Sequence, residues 1–259
     1  MKNFLLIALL FLSLTGTGQT GVVRLEFEAA VNSDIYKLIP LGSQGFLLFF
    51  ETKDFTGEDS KNWFFTCFDQ HLKEVWKANI AVVTDAQFQD HVTRDSLLYL
   101  FFLNTGKAKS GAVNFQVLTI DMANGLTYET RGSLPSESTF IKFLVQGNRS
   151  FIALDLKNEQ AALYSVSLNS GPVSEFKLSY ADQNFIEDIA YNPFQDELLC
   201  SVSNFISRRQ NKIYILYLDS LLNFKYDMEV SAVITGKYLN TARFYVSDSA
   251  QYYLIGTYG

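Results

Sequence analysis

One pattern recurs at near-constant intervals along this chain. Turns opened by Asp69, Asp121, Asn169 and Asp219 follow one another at 52, 48 and 50 residues. Each copy holds four segments of strand length. The first segments, aligned, are 35–39, 88–92, 140–144, 185–189 and 242–246. The second segments are the most apolar: 46–50, 97–103, 151–156, 198–202 and 252–256. Near-continuous apolar runs imply strands buried on both faces. The third segments are 63–68, 115–120, 163–168 and 213–218, and the fourth are 75–80, 127–132, 176–180 and 224–230. The outer segments carry more Lys, Glu and Thr, as a partly solvated edge requires. An Asp or Asn opening the third turn caps its own backbone amides. Gly125 and Gly171 stand where that turn can need a positive φ.

A period near 50 residues with four strands per copy resembles the blade of a β-propeller. The resemblance covers residues 22–259. It meets no narrower motif: the Gly-His and Trp-Asp marks of WD40 repeats and a kelch-like Gly-Gly are absent from the copies. It implies an all-β fold, a β-propeller-like array of four-stranded antiparallel blades whose innermost strands line a central channel. Four complete units fill 34–230, and a fifth has two strands. The alternating segment 22–28 (VVRLEFE) has the form of a leading strand that completes the last blade of a closed ring. The fifth blade would still lack its third strand. The chain is therefore expected to belong to a longer protein, with a complete but irregular five-bladed ring as the alternative.

Residues 1–19 are expected to be a signal peptide, with the propeller domain over 20–259. Lys2 gives a positive start, 4–14 are apolar apart from Ser13, and small or polar residues follow. That order is the n-, h- and c-region order of a secretory signal. The run is shorter than the about 20 residues that span a bilayer. Cleavage is expected after Gly18 or Gln19, and no Cys follows to carry a lipid. The expected location is secreted, periplasmic or at the cell surface, with no membrane span after signal removal. A net charge of −6 argues against nucleic acid and anionic membranes. With 23 Phe and 14 Tyr against 4 Pro, the chain suits a strand-rich fold with large inter-sheet cores. Cys67 and Cys200 lie in different copies and read as buried free thiols.

The familiar catalytic signatures are missing: no G-x-S-x-G, no H-E-x-x-H, no Walker loop and no dinucleotide fingerprint. No cofactor or metal site is expected. His71 reads as a solvated turn residue. His91 has Asp90 beside it, but neighbours on a strand point to opposite faces, which disfavours a triad. More informative are Lys37, Asp90, Lys142 and Glu187, aligned on the innermost strands, with His91 and Asp188 one step along. Charges in apolar strands must be paired or hydrated. One reading is alternating pairing that joins neighbouring blades. The other is a polar floor for a ligand, with Asp90 and Glu187 as paired carboxylates. The stretch 51–62 (ETKDFTGEDSKN) reads as a solvated acidic loop without Ca²⁺-loop spacing. Trp63 and Trp76 read as core or edge residues, or, if exposed, as a sugar-stacking pair. Asn148-Arg149-Ser150 is an N-x-S sequon. The tripeptides starting at Asp95, Asp219 and Asp248 resemble the D-S-x acceptor of O-glycans in secreted Bacteroidota proteins.

The sequence thus predicts an exported recognition or scaffold domain that binds protein or glycan without catalysis. The alternative is a glycan hydrolase or lyase using carboxylates at the channel mouth. A further option is a propeller that positions a catalytic domain encoded downstream.

Overall fold

The computed structural model describes residues 36–57, 59–104, 111–157, 160–171, 173–180, 183–207, 210–230, 239–247 and 251–258. The expected signal peptide, the segment 22–28 and the tripeptide 248–250 lie outside them. The fold is all-β, with four-stranded antiparallel sheets in series. The first sheet is β1 (Tyr36–Pro40), β2 (Phe46–Phe55), β3 (Ser60–Phe68) and β4 (Glu74–Val83). The second is β5 (Ala86–Arg94), β6 (Leu97–Asn104), β7 (Ala112–Asp121) and β8 (Thr127–Pro135). The third is β9 (Ser138–Gln146), β10 (Arg149–Leu156), β11 (Gln160–Ser167) and β12 (Val173–Lys177). The fourth is β13 (Gln183–Asn192), β14 (Glu197–Ser207), β15 (Gln210–Leu218) and β16 (Phe224–Val230). Strands β17 (Leu239–Val246) and β18 (Tyr252–Tyr258) form a two-stranded fifth sheet.

Each sheet is an up-and-down meander, so consecutive strands are hydrogen-bonded neighbours. The first strands β5, β9, β13 and β17 stand next to one another in turn. The core lies between successive sheets. Alternation along each second strand sends side chains to opposite faces. Leu98, Leu100 and Phe102 of β6 pack against Leu47 and Phe49 of the first sheet. Tyr99, Phe101 and Leu103 of the same strand pack against Ile152 and Leu154 of the third. Ala153 and Leu163 in turn meet Cys200, Val202 and Leu216 of the fourth. Burial on both faces explains why these strands are so apolar.

The Asp turns form as predicted. Asp69 Oδ1 accepts the His71 and Lys73 amides at 2.8 and 2.9 Å. Asp219 Oδ1 accepts those of Leu221 and Asn223, both at 2.8 Å. Asp121 Oδ1 accepts the Ala123 amide at 2.9 Å. The Asn169 turn closes instead through the backbone, Gly171 N–H to Ser167 O at 2.8 Å. Lys73 N–H leads the causes that hold the Asp69 carboxyl below its usual range.

Gly125 adopts φ +75°, and a Cβ there would sit 2.7 Å from Cε3 of Trp76. Gly125→Ala is therefore expected to cost about 2 kcal/mol, from left-handed strain plus the ring contact. Urea unfolding midpoints test this. An unchanged midpoint would mean that the turn relaxes freely.

Two stretches differ from the sequence reading. The predicted acidic loop 51–62 is mostly strand, because β2 and β3 extend as a hairpin. A Glu51–Lys61 ion pair at 2.7 Å and a Thr52 Oγ1–Asn62 O bond at 2.9 Å hold it. The fourth strand of the third sheet is Val173–Lys177 rather than 176–180. Leu178 is buried, and Tyr180 leaves to stack on Tyr214 of the fourth sheet, ring centroids 4.4 Å apart.

Candidate functional site

The first strands carry a shared irregularity that sets which charges align. In β5, β9 and β13 the register skips one residue: Gln89, Ile141 and Glu187. Each is a β-bulge, which adds an unpaired residue and turns the strand. The residues after the bulges, Asp90, Lys142 and Asp188, pair with Phe101, Ala153 and Ser201. In β1, Lys37 pairs with Phe49. Phe49, Phe101 and Ala153 all face the following sheet. The equivalent set is therefore Lys37, Asp90, Lys142 and Asp188. The sequence alignment placed Glu187 in it. Glu187 is instead the bulge residue, one step out of register.

These charges are engaged by their own fold. Lys142 Nζ donates to Asp188 Oδ1 at 2.5 Å, from the third sheet to the fourth. Asp188 Oδ1 also accepts the Ile189 amide at 3.0 Å. Its Oδ2 accepts the Phe244 amide of the fifth sheet at 2.8 Å. Only 5% of Asp188 is exposed. Ser201 Oγ adds a bond to Ala242 O at 2.8 Å. Glu187 accepts the Ser203 hydroxyl. Lys37 Nζ lies 6.0 Å from the Phe88 ring centroid, a cation–π distance. Asp90 Oδ1 accepts the His91 amide at 2.8 Å, a backbone contact that does not orient the imidazole. The His91 ring lies 6.3 Å from Phe88. His71 is exposed in its turn.

A residue that the sequence reading did not single out stands beside this set. Asp155, near the end of β10, accepts the Ile186 amide through Oδ1 at 3.0 Å. Burial, against that bond, and then the nearby Glu187 charge push its pKa up to about 6. It lines a cleft of about 630 Å³ with Ser136, Glu137, Lys157 and Phe185. The sequence did carry a signal, since Asp155 is the one charge in the otherwise apolar second segment 151–156, but an alignment of the first strands passes over it. The unfolded pKa is about 3.9, so the folded chain binds the extra proton between about pH 4 and 6. Stability from this group thus falls as pH rises through that window. Asp155→Asn is expected to gain about 1 kcal/mol at about pH 7.5, allowing for solvent screening. At about pH 4 the gain should vanish. Equal gains at both values, in paired melting curves, would show that the carboxyl is not perturbed.

Trp63 and Trp76 are buried, 3% and 9% exposed, so they form no sugar-stacking pair. Trp76 Nε1 donates to Met122 O at 2.8 Å. Cys67 and Cys200 are free and buried, and burial raises both thiol pKa values. Among the described residues, no three His, Cys, Asp or Glu side chains are grouped to hold a metal. Among them also, no helix is long and apolar enough to cross a membrane.

Sheets meeting face to face, with their first strands side by side, define a propeller-like array of blades. No protein-family model matches the chain, and no curated protein matches it. Among solved structures it is similar to an ACO/RPE65 chimera at 10% identity, covering 82% of this chain and 52% of that one, with a TM-score of 0.43. Cobalt-substituted Synechocystis ACO matches at 9% identity over 82% of this chain and 52% of its own, with a TM-score of 0.40. A prolyl endopeptidase structure matches at 12% over 85% and 39%, with a TM-score of 0.35. The chain spans about half the length of the first of these, or less.

Proposed function

We propose that this chain is an exported recognition or scaffold domain, binding protein or glycan through its loop faces and catalysing nothing itself. The observation that supports this is the use of the inner-strand charges. Lys142 and Asp188 close on each other at 2.5 Å, and Asp188 is fastened to two further amides. Charges spent on joining sheets are not free to move protons for a substrate. A screen of glycans and peptides, for binding and turnover together, tests the proposal. Saturable binding with no turnover is the expected result. Turnover abolished by Asp90→Asn or Glu187→Gln would overturn it.

One observation favours a second reading, a glycan hydrolase or lyase. Asp155, with its raised pKa, stands near Glu187, and a carboxyl that holds its proton longer than usual can serve as a general acid. Against it, Glu187 is already held by Ser203. The same turnover screen, with Asp155→Asn added, decides between the two.

A further inference from the structure

We propose that the cleft between the third and fourth sheets receives a cationic side chain, a lysine or arginine of a partner protein. This rests on the recognition reading above and names its ligand. The cleft holds about 630 Å³, room for a side chain and part of its peptide. One wall carries Asp155 and another Phe185. Asp155 Oδ1 is occupied by the Ile186 amide, while Oδ2 has no hydrogen-bond partner among the described residues. A carboxylate and an aromatic residue lining one cleft suit a guanidinium or ammonium, which can take a charge-assisted hydrogen bond and a ring contact together.

The surrounding charges sharpen the choice. Lys157, on the rim, is paired with Glu137 at 2.6 Å. Lys142 is paired with Asp188 at 2.5 Å. Glu187 adds negative charge on the fourth-sheet side and raises the Asp155 pKa. Among the described residues, Lys157 at the rim and Lys142 on the same sheet are thus each paired with another carboxylate, and no ion pair engages Asp155. An anionic ligand would meet repulsion, and a neutral sugar would leave that charge uncompensated. A net charge of −6 over the chain favours encounter with basic partners.

The test is an amide-resolved NMR titration of the whole chain with a blocked Gly-Arg-Gly peptide. Its citrulline counterpart and cellobiose serve as neutral comparators. The Ile186 amide is the reporter, since it bonds Asp155. Saturable shifts at Ile186 and Phe185 with the arginine peptide are expected. Binding should weaken about tenfold from about pH 7 to 5, as Asp155 is protonated. Asp155→Asn should weaken it similarly at the higher pH, and that variant is expected to fold at least as well. Equal binding of the citrulline peptide, or binding of cellobiose alone, would overturn the cationic assignment and leave the recognition reading standing. So would silence at both amides with all three probes. Turnover of a glycan, lost in Asp155→Asn, would overturn both.

Discussion

Replacing Asp188 with alanine is expected to destabilise the chain by about 3 kcal/mol, the range for breaking a buried pair. Its carboxylate is shared by three sheets. It takes Lys142 from the third, its neighbour's amide in the fourth, and the Phe244 amide from the fifth. Lys142 is 34% exposed along its side chain, so it can rehydrate when its partner is lost. The backbone amides have less recourse, and an unsatisfied buried donor costs its desolvation. Lys142→Met should cost somewhat less, about 2 kcal/mol: Asp188 keeps both amides but is left buried without its cation. Combining Lys142→Met with Asp188→Ala should recover little of the loss. Urea unfolding of the four species gives the cycle. Hydrogen exchange at Phe244 supplies a local readout, expected to quicken in Asp188→Ala before global unfolding. If each single variant costs about 1 kcal/mol or less, the pair behaves as an exposed one and the buried carboxylate does not join the sheets.

That aspartate also shows how far the sequence can be read. The blade period, the four strands per copy and the capped Asp turns were all legible. They rest on local chemistry: alternation, apolar runs, and Asp side chains that bond amides two and four residues on. A bulge leaves no such mark. Glu187 and Asp188 are adjacent acids on one strand, and either can serve in an ungapped alignment. The extra residue in β13 gives the inward position to Asp188. The charge of Asp155 stands out in segment 151–156, but its altered pKa does not. That comes from burial and from Glu187 across a sheet boundary, and both are tertiary facts. The acidic stretch 51–62 misled for the opposite reason. Its composition is that of a loop, but the Glu51–Lys61 pair turns its charges into cross-strand contacts. Function is the least legible level, because a blade array fixes where loops are displayed and not what they hold.

Trp76→Ala is expected to cost about 4 kcal/mol, within the range for truncating a buried tryptophan. The indole belongs to the outer strand of the first sheet but is used by the second. Its N–H bonds Met122 O at 2.8 Å, and its ring covers Gly125 in the same turn. Related ties recur at the next two sheet boundaries. Thr130 Oγ1 donates to Leu168 O at 2.6 Å, and Ser165 Oγ to Ser220 O at 3.1 Å. A donor from one blade thus meets a carbonyl in or beside the third turn of the next. Only at Trp76 does a large apolar surface accompany the bond, so Trp76→Ala should far exceed Thr130→Val, at about 1 kcal/mol. Trp76→Phe should fall between them, keeping part of the ring packing and orphaning Met122 O. Gly125 supplies the internal control. In the wild-type background Gly125→Ala meets both left-handed strain and the indole. With Trp76→Ala already in place the ring contact is gone, and its cost should drop to about 1 kcal/mol of backbone strain. A cost unchanged between the two backgrounds would mean that the indole does not press on that turn, and that the ties between blades are set by the backbone alone.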